Sequence, residues 1–156
     1  MSNSRAAFRP IVVGVDGSPL SRDALRWAAV EAELRDCPLD VVYGWQVSTQ
    51  PRPPGVDLGV APPLEAYQEA ATRRIEQVVA KTLPERLRAR VRVHAVHKPP
   101  GKALIWFAQD ADLLVVGSRT HGRLAGWLLG SVSDEAIENA PCAAVIVRAD
   151  CVPPFE

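Results

Sequence analysis

ADLLVVGSRTHGRLAGWLLGSVS, residues 111–133, is the stretch whose reading decides the fold. Leu113-Leu114-Val115-Val116 is a continuous apolar run of the length and branched character of a strand buried on both faces. It breaks at Gly117. A segment dense in glycine, hydroxyls and positive charge follows, and then Val132, Ala136 and Ala140 recur at helical spacing. Strand, glycine-rich polar loop and helix start together read as an anion site. Glycine lets backbone approach a ligand, free N–H groups at the helix start point at it, and the helix dipole favours negative charge by up to about 1 kcal/mol. Phosphate is the expected anion.

The familiar phosphate-loop patterns are absent. The only Gly-Lys pair, Gly101-Lys102, is followed by Ala103 and has Val96 where a P-loop needs its first glycine, and no GxGxxG occurs. The stretch instead resembles the nucleotide loop of the universal stress protein family, G-x2-G-x9-G-[ST]. Laid on this chain, the pattern gives Gly117, Ser118-Arg119, position 120, His121 to Leu129, then Gly130-Ser131. Position 120 is Thr where the pattern has glycine. Val-Val-Gly-Ser-Arg before it, and Leu-Leu-Gly-Ser-Val-Ser and Ala-Pro-Cys after it, are all similar to that family. A second departure is Pro100-Gly101-Lys102-Ala103, where the family usually shows Gly-x-Pro-Ala.

Working outward, Ile11-Val12-Val13-Gly14-Val15 reads as another buried strand, ending in Asp16-Gly17-Ser18-Pro19. Ser18 before Pro19 is a helix start, the hydroxyl capping and the proline taking the first position, where its missing N–H costs nothing. That helix is expected to reach about Arg35 and to stop at Cys37-Pro38. Leu39 to Val47 reads as a second strand, so the first two strands and their helix form a βαβ unit and the sheet is parallel. Residues 48–63 carry five prolines and read as a long irregular connection, either a lid or a disordered segment. Leu64, Tyr67, Ala71, Ile75 and Val78 give a second helix to about Lys81. Val91, Val93 and Ala95 alternate with Arg92 and His94, an edge strand with His94 on its exposed face. His94 and His97 make an HxxH with no third ligand nearby, so no metal site is read. Ala103, Leu104, Phe107 and Ala108 give a short third helix. A fourth ends near Asn139, and Ala143 to Val147 is the last strand.

The element order is therefore β-α-β-α-β-α-β-α-β, an α/β fold with a single open, doubly wound sheet. The resemblance implies a five-stranded parallel sheet in the order 3-2-1-4-5, with helices on both faces, of the adenine-nucleotide alpha-hydrolase-like type. At 156 residues the chain reads as one domain, spanning 10–149, with an extension at 1–9 and a tail at 150–156, and it can bury about 70% of its unfolded surface. Eighteen basic and 18 acidic side chains cancel, which argues against nucleic-acid or membrane-surface partners. Cys37, Cys142 and Cys151 are odd in number and far apart, as in a reducing compartment, and no stretch is long and apolar enough to span a membrane. A cytoplasmic protein is expected.

In a doubly wound sheet the ligand sits beyond the C-terminal strand ends where the winding reverses. With the order above, that is between the first and fourth strands, so Asp16 should face the glycine loop. Its carboxylate either caps the amides of Gly17-Ser18 or takes a ribose hydroxyl or a metal on the phosphates. Gly44 either bends a strand end or admits adenine, which the resembled family reads with main-chain groups there. The resemblance implies a nucleotide-binding set of Asp16, Gly44, Gly117, Ser118, Arg119, Thr120, Gly130, Ser131, Val132 and Ser133. Gly117 is expected to supply an unusual backbone geometry, and the serines N–H and hydroxyl donors. The implied ligand is ATP, with AMP and cyclic AMP not separable from it by sequence, and with Mg on the phosphates through Asp16. The implied role is a sensor or regulator in stress response, working as a homodimer through its apolar last strand. The alternatives are an interaction module with an empty site, or a slow ATP hydrolase. No dedicated catalytic base or lysine is evident.

Overall fold

The computed structural model of the chain describes residues 8–118 and 131–149. Five strands, β1 (Ile11–Gly14), β2 (Leu39–Gly44), β3 (Val91–Val96), β4 (Leu113–Gly117) and β5 (Ala143–Val147), form one parallel sheet in the order β3-β2-β1-β4-β5. The order expected from the resemblance is thus the observed one. Helices α1 (Pro19–Arg35), α2 (Leu64–Thr82), α3 (Glu85–Arg88), α4 (Pro100–Ala108) and α5 (Ser131–Asn139) connect them. One sheet face packs Val13, Val41 and Val115 against α1 and α2; the other packs Val12, Val42, Leu114 and Val116 against α4 and α5. The central strands β1, β2 and β4 are buried on both faces, which is why they read as unbroken apolar runs.

Local chemistry explains the boundaries. Ser18 is the N-cap of α1, its Oγ accepting from the Ser21 amide at 3.3 Å. The helix stops one residue before Cys37-Pro38. Asp36 takes a left-handed conformation (φ 54°), and the amides of Asp36 and Cys37 donate to the carbonyls of Glu33 and Ala32. β2 ends at Gly44, not Val47. The Trp45 amide makes one more bond to the Val96 carbonyl, and a turn at Gln46–Thr49 then carries the chain off the sheet. The single-turn helix α3, set off by Pro84, was not expected from periodicity, because four residues are too few to show one. In the proline-rich connection Arg52 donates to the carbonyls of Asp57 and Val60, and Gln50 donates to the Tyr43 hydroxyl.

The polar face of β3 is half-covered and reaches back to one buried acid. Asp40 of β2, 6% exposed, accepts two bonds from Arg92 (2.7 and 2.8 Å) and pairs with His94 Nε2 at 2.9 Å. His94 also packs on Phe107 of α4, ring centroids 4.6 Å apart. The expected edge strand with an outward polar face is thus observed, with one addition: Arg92, 52% exposed, and His94, 31% exposed, use that face to cover the buried carboxylate of Asp40. Burial alone would raise the Asp40 pKa, but the hydrogen bonds from His94 and Arg92 outweigh it and hold this carboxyl below its ordinary value.

Candidate functional site

The three central strands, side by side as β2-β1-β4, all end in glycine: Gly44, Gly14 and Gly117. Above these ends lies a cavity of about 600 Å³, within the range of small-molecule sites. Its walls are mainly apolar, from Val15, Val42, Leu104, Val116 and Val132, and its polar groups come from Asp16, Ser18, Ser21 and Ser133. It therefore sits at the winding reversal between β1 and β4.

Each glycine is there for its neighbour. A Cβ on Gly44 would stand 2.6 Å from Pro100 Cα and 2.9 Å from the Lys98 carbonyl oxygen, so this glycine lets the α4 entry turn close against β2. Neither alternative read from sequence, a bend or room for a ring, explains it as directly. A Cβ on Gly117 would stand 2.8 Å from the Leu20 carbonyl oxygen of α1. Gly117 ends β4 and is not among the positive-φ glycines, so its expected unusual backbone geometry is corrected to a close approach of helix backbone. Among the described residues, Gly17, between the lining residues Asp16 and Ser18, has a positive φ of 88°.

Asp16 is exposed and lines the cavity, and its Oδ1 accepts from the Ser18 amide at 2.8 Å. The capping reading of this acid is thus present in the structure, with its side chain held at the cavity. The Asp16 amide in turn donates to Ser21 Oγ at 3.3 Å. Gly44, Gly117, Val132 and Ser133 join Asp16 around the cavity. Ser133 does not offer its proton to a ligand here, since its Oγ donates to the Gly117 carbonyl at 2.9 Å and ties α5 to β4. Ser131 opens α5 and is exposed. Ser118 is 4% exposed; its amide donates to the Val147 carbonyl, and its buried Oγ has no hydrogen-bond partner among the described residues. Arg119, Thr120 and Gly130 lie outside the described residues. Sequence reasoning missed Gly14, Leu104 and Pro100 as parts of the floor. The repeated strand-final glycine was the signal, and it acquires meaning only once the strand order is known.

An adenine nucleotide fits what is present. The apolar walls suit a base, and the acid at the end of β1 suits ribose hydroxyls.

Fold and crevice together define a doubly wound α/β domain with a ligand-sized site at its switch point. The profile of the universal stress protein family matches residues 7–148, and the chain belongs to that family. A universal stress protein of Mycobacterium tuberculosis is 37% identical over 143 residues, covering 88% of this chain and 47% of the relative. The chain thus spans about half the length of the curated relatives it matches. A universal stress protein crystallised in complex with cAMP has a TM-score of 0.59 at 24% identity, covering 93% of this chain and 100% of its own. The universal stress protein of Archaeoglobus fulgidus in complex with dAMP also has a TM-score of 0.59 at 24% identity, covering 90% and 98%. These two likenesses are of fold. Among the described residues no helix is long and apolar enough to cross a membrane.

Proposed function

We propose that this domain binds an adenine nucleotide in the crevice above Gly44, Gly14 and Gly117 and acts as a nucleotide-dependent regulator in stress response. The observation that carries the reading is the cavity of about 600 Å³ at the switch point, apolar toward α4 and bounded by Asp16. The cAMP and dAMP complexes of proteins with the same fold support the ligand class. In this reading Gly44 and its neighbours meet the base through main-chain groups, and Asp16 receives a ribose hydroxyl or a metal on the phosphates. Gly117, Ser118, Val132 and Ser133 border the phosphate side, and Arg119, Thr120, Gly130 and Ser131 complete it. ATP, AMP and cyclic AMP are the ligands to compare. The domain pairs through β5, the edge strand among the described residues, where Val145 and Ile146 are half-buried, an arrangement that favours a strand partner.

The test is to denature freshly purified protein, identify any released nucleotide by chromatography, and titrate ATP, AMP and cyclic AMP with and without magnesium by calorimetry. Micromolar binding that Asp16→Asn weakens is the expected result. Asparagine keeps an acceptor for the Ser18 amide, so this change removes charge while sparing the turn. No released nucleotide and no heat from any of the three would sink the reading. One observation favours a rival, an interaction module of the same fold: Asp16 Oδ1 and the Ser133 hydroxyl proton are already engaged within the chain. Under that rival, Asp16→Asn leaves partner binding unchanged and no nucleotide is found.

A further inference from the structure

Asp16 is held from outside its own βα unit. Arg74 of α2, 58 positions along the chain, donates from Nη2 to the Asp16 main-chain carbonyl at 3.0 Å. The same guanidinium lies over the Tyr43 ring, 5.8 Å from its centroid, and the Tyr43 hydroxyl is fixed by Gln50. The next residue, Gly17, sits at φ 88°, and a Cβ there would stand 3.5 Å from Arg74 Nη2 and from Val78 Cγ2.

Glycine adopts either sign of φ at little cost, so the peptide joining Asp16 to Gly17 has no intrinsic reason to keep one orientation. Turning it would move the Asp16 carbonyl away from Arg74 and disturb the 2.8 Å bond between Asp16 Oδ1 and the Ser18 amide. A guanidinium is suited to prevent this. Its bond to the carbonyl is charge-assisted, its planar fork is rigid, and the aromatic face beneath it fixes its position.

We propose that Arg74 is a positioning residue of the candidate nucleotide site: it fixes the Asp16–Gly17 peptide and thereby aims the Asp16 carboxylate into the cavity. The inference rests on the reading that Asp16 meets the nucleotide, and it extends the site to an element that contributes no residue to the cavity lining. Affinity for the ribose end of the ligand then depends on a side chain of α2 seated on Tyr43.

The test uses the full chain with three variants, Arg74→Ala, Arg74→Lys and Arg73→Ala. Arg73 is the control because it is exposed and its ion pair, 3.6 Å to Glu69, stays within α2. Amide hydrogen exchange at Gly17 and Ser18 is read by NMR without ligand, and AMP is titrated by calorimetry. Arg74→Ala should speed exchange at Ser18 on the order of tenfold and weaken AMP several-fold, with Arg74→Lys between it and the parent. Arg73→Ala should move neither. Unchanged exchange at Gly17 and Ser18 in Arg74→Ala overturns the inference whether or not AMP binds. Faster exchange with unchanged AMP affinity overturns the link to the site. Faster exchange in a protein whose parent binds no nucleotide supports the fixing of the turn and sinks the nucleotide reading alone.

Discussion

Alanine at the three strand-final glycines should give a graded loss of stability set by what each new methyl meets. At Gly44 it meets backbone only: Pro100 Cα at 2.6 Å, with the Lys98 carbonyl oxygen and Pro100 N each at 2.9 Å. An ordinary carbon–carbon contact is roughly 3.5–4.0 Å, so the α4 entry turn must retreat by about 1 Å. Overpacking of this kind costs about 1–3 kcal/mol, and rigid backbone neighbours put this site toward the upper end. The restricted unfolded chain returns about 0.4–1 kcal/mol. The net expectation for Gly44→Ala is a loss of about 1–2.5 kcal/mol. At Gly14 the nearest atom is Leu104 Cδ1 at 2.9 Å, the end of a side chain that can turn, so the two effects nearly cancel. Gly117→Ala, against the Leu20 carbonyl oxygen at 2.8 Å, belongs between them. Urea unfolding followed by circular dichroism reads this directly. With m near ~2 kcal/mol/M, Gly44→Ala should lower the midpoint by about 0.5–1.2 M and Gly14→Ala by no more than ~0.3 M. A Gly44→Ala protein as stable as Gly14→Ala would refute the argument that contact with fixed backbone is what these positions guard against.

Other expectations are independent of that series. Asp40→Asn should lower stability by about 1–3 kcal/mol near neutral pH, since it leaves Arg92 and His94 without their carboxylate. Because the folded-state pKa of Asp40 is depressed, its contribution is present above the unfolded value of about 3.9 and is lost as pH falls through the folded value. The gap between parent and variant in urea midpoint should therefore narrow below about pH 4; a gap constant with pH would count against the ion-pair account. Ser18→Ala removes the α1 cap and should cost ~1 kcal/mol, while Ser18→Gly should cost only a few tenths of ~1 kcal/mol. Burial raises the Cys37 thiol pKa, so in native protein Cys37 should resist alkylation near pH 8 and react only on unfolding, as peptide mapping of the modified chain would reveal.

How much of this was legible in the sequence depended on whether a signal was local. The strands were plain because β1, β2 and β4 are covered on both faces, and a continuous apolar run has little other use in a chain of this composition. The start of α1 was legible in Ser18-Pro19, because a cap and a first-turn proline act within four residues. Its end at Arg35 was legible too, because Cys37-Pro38 bars a further turn, but the left-handed Asp36 that makes the stop carries no compositional mark. Asp40 is the clearest omission. An acid inside Leu39-Asp40-Val41-Val42 looks anomalous along the chain, and only the register pairing Asp40 with Arg92 supplies its partner, 52 positions away. The same limit hid Arg74, whose target is the main-chain carbonyl of a residue 58 positions earlier. Asp16 stood out in the sequence because a strand-terminal acid before Gly-Ser has few uses. That it caps its own turn and borders the cavity at once is a matter of geometry.

The three glycines show how packing and site become one constraint. Gly14 and Gly44 lie on the face that carries Val12 and Val42, and what they admit is α4: the Leu104 side chain for one and the backbone at Pro100 for the other. Gly117, next along β4 after Val116, turns to the face of Val115 and admits the first turn of α1 through the Leu20 carbonyl. A βα connection normally leaves its helix standing off from the strand ends by the thickness of side chains. Where the strand ends in glycine, the helix entry can close to backbone contact. The start of α1 is drawn onto β4 and the start of α4 onto β2, from opposite faces, and the space between these two entries, over β1, is the cavity. Its lining therefore joins the glycine ends of the sheet to side chains from the starts of α1 and α5 and from α4. A larger residue at Gly44 or Gly117, where the neighbour is backbone, would push a helix entry outward and change the shape of the cavity along with the stability of the fold. The stability series and the binding measurements accordingly probe one structural cause. Gly44→Ala, which displaces Pro100 from the cavity wall, should lose nucleotide affinity in proportion to its lost stability, whereas Gly14→Ala should keep most of both.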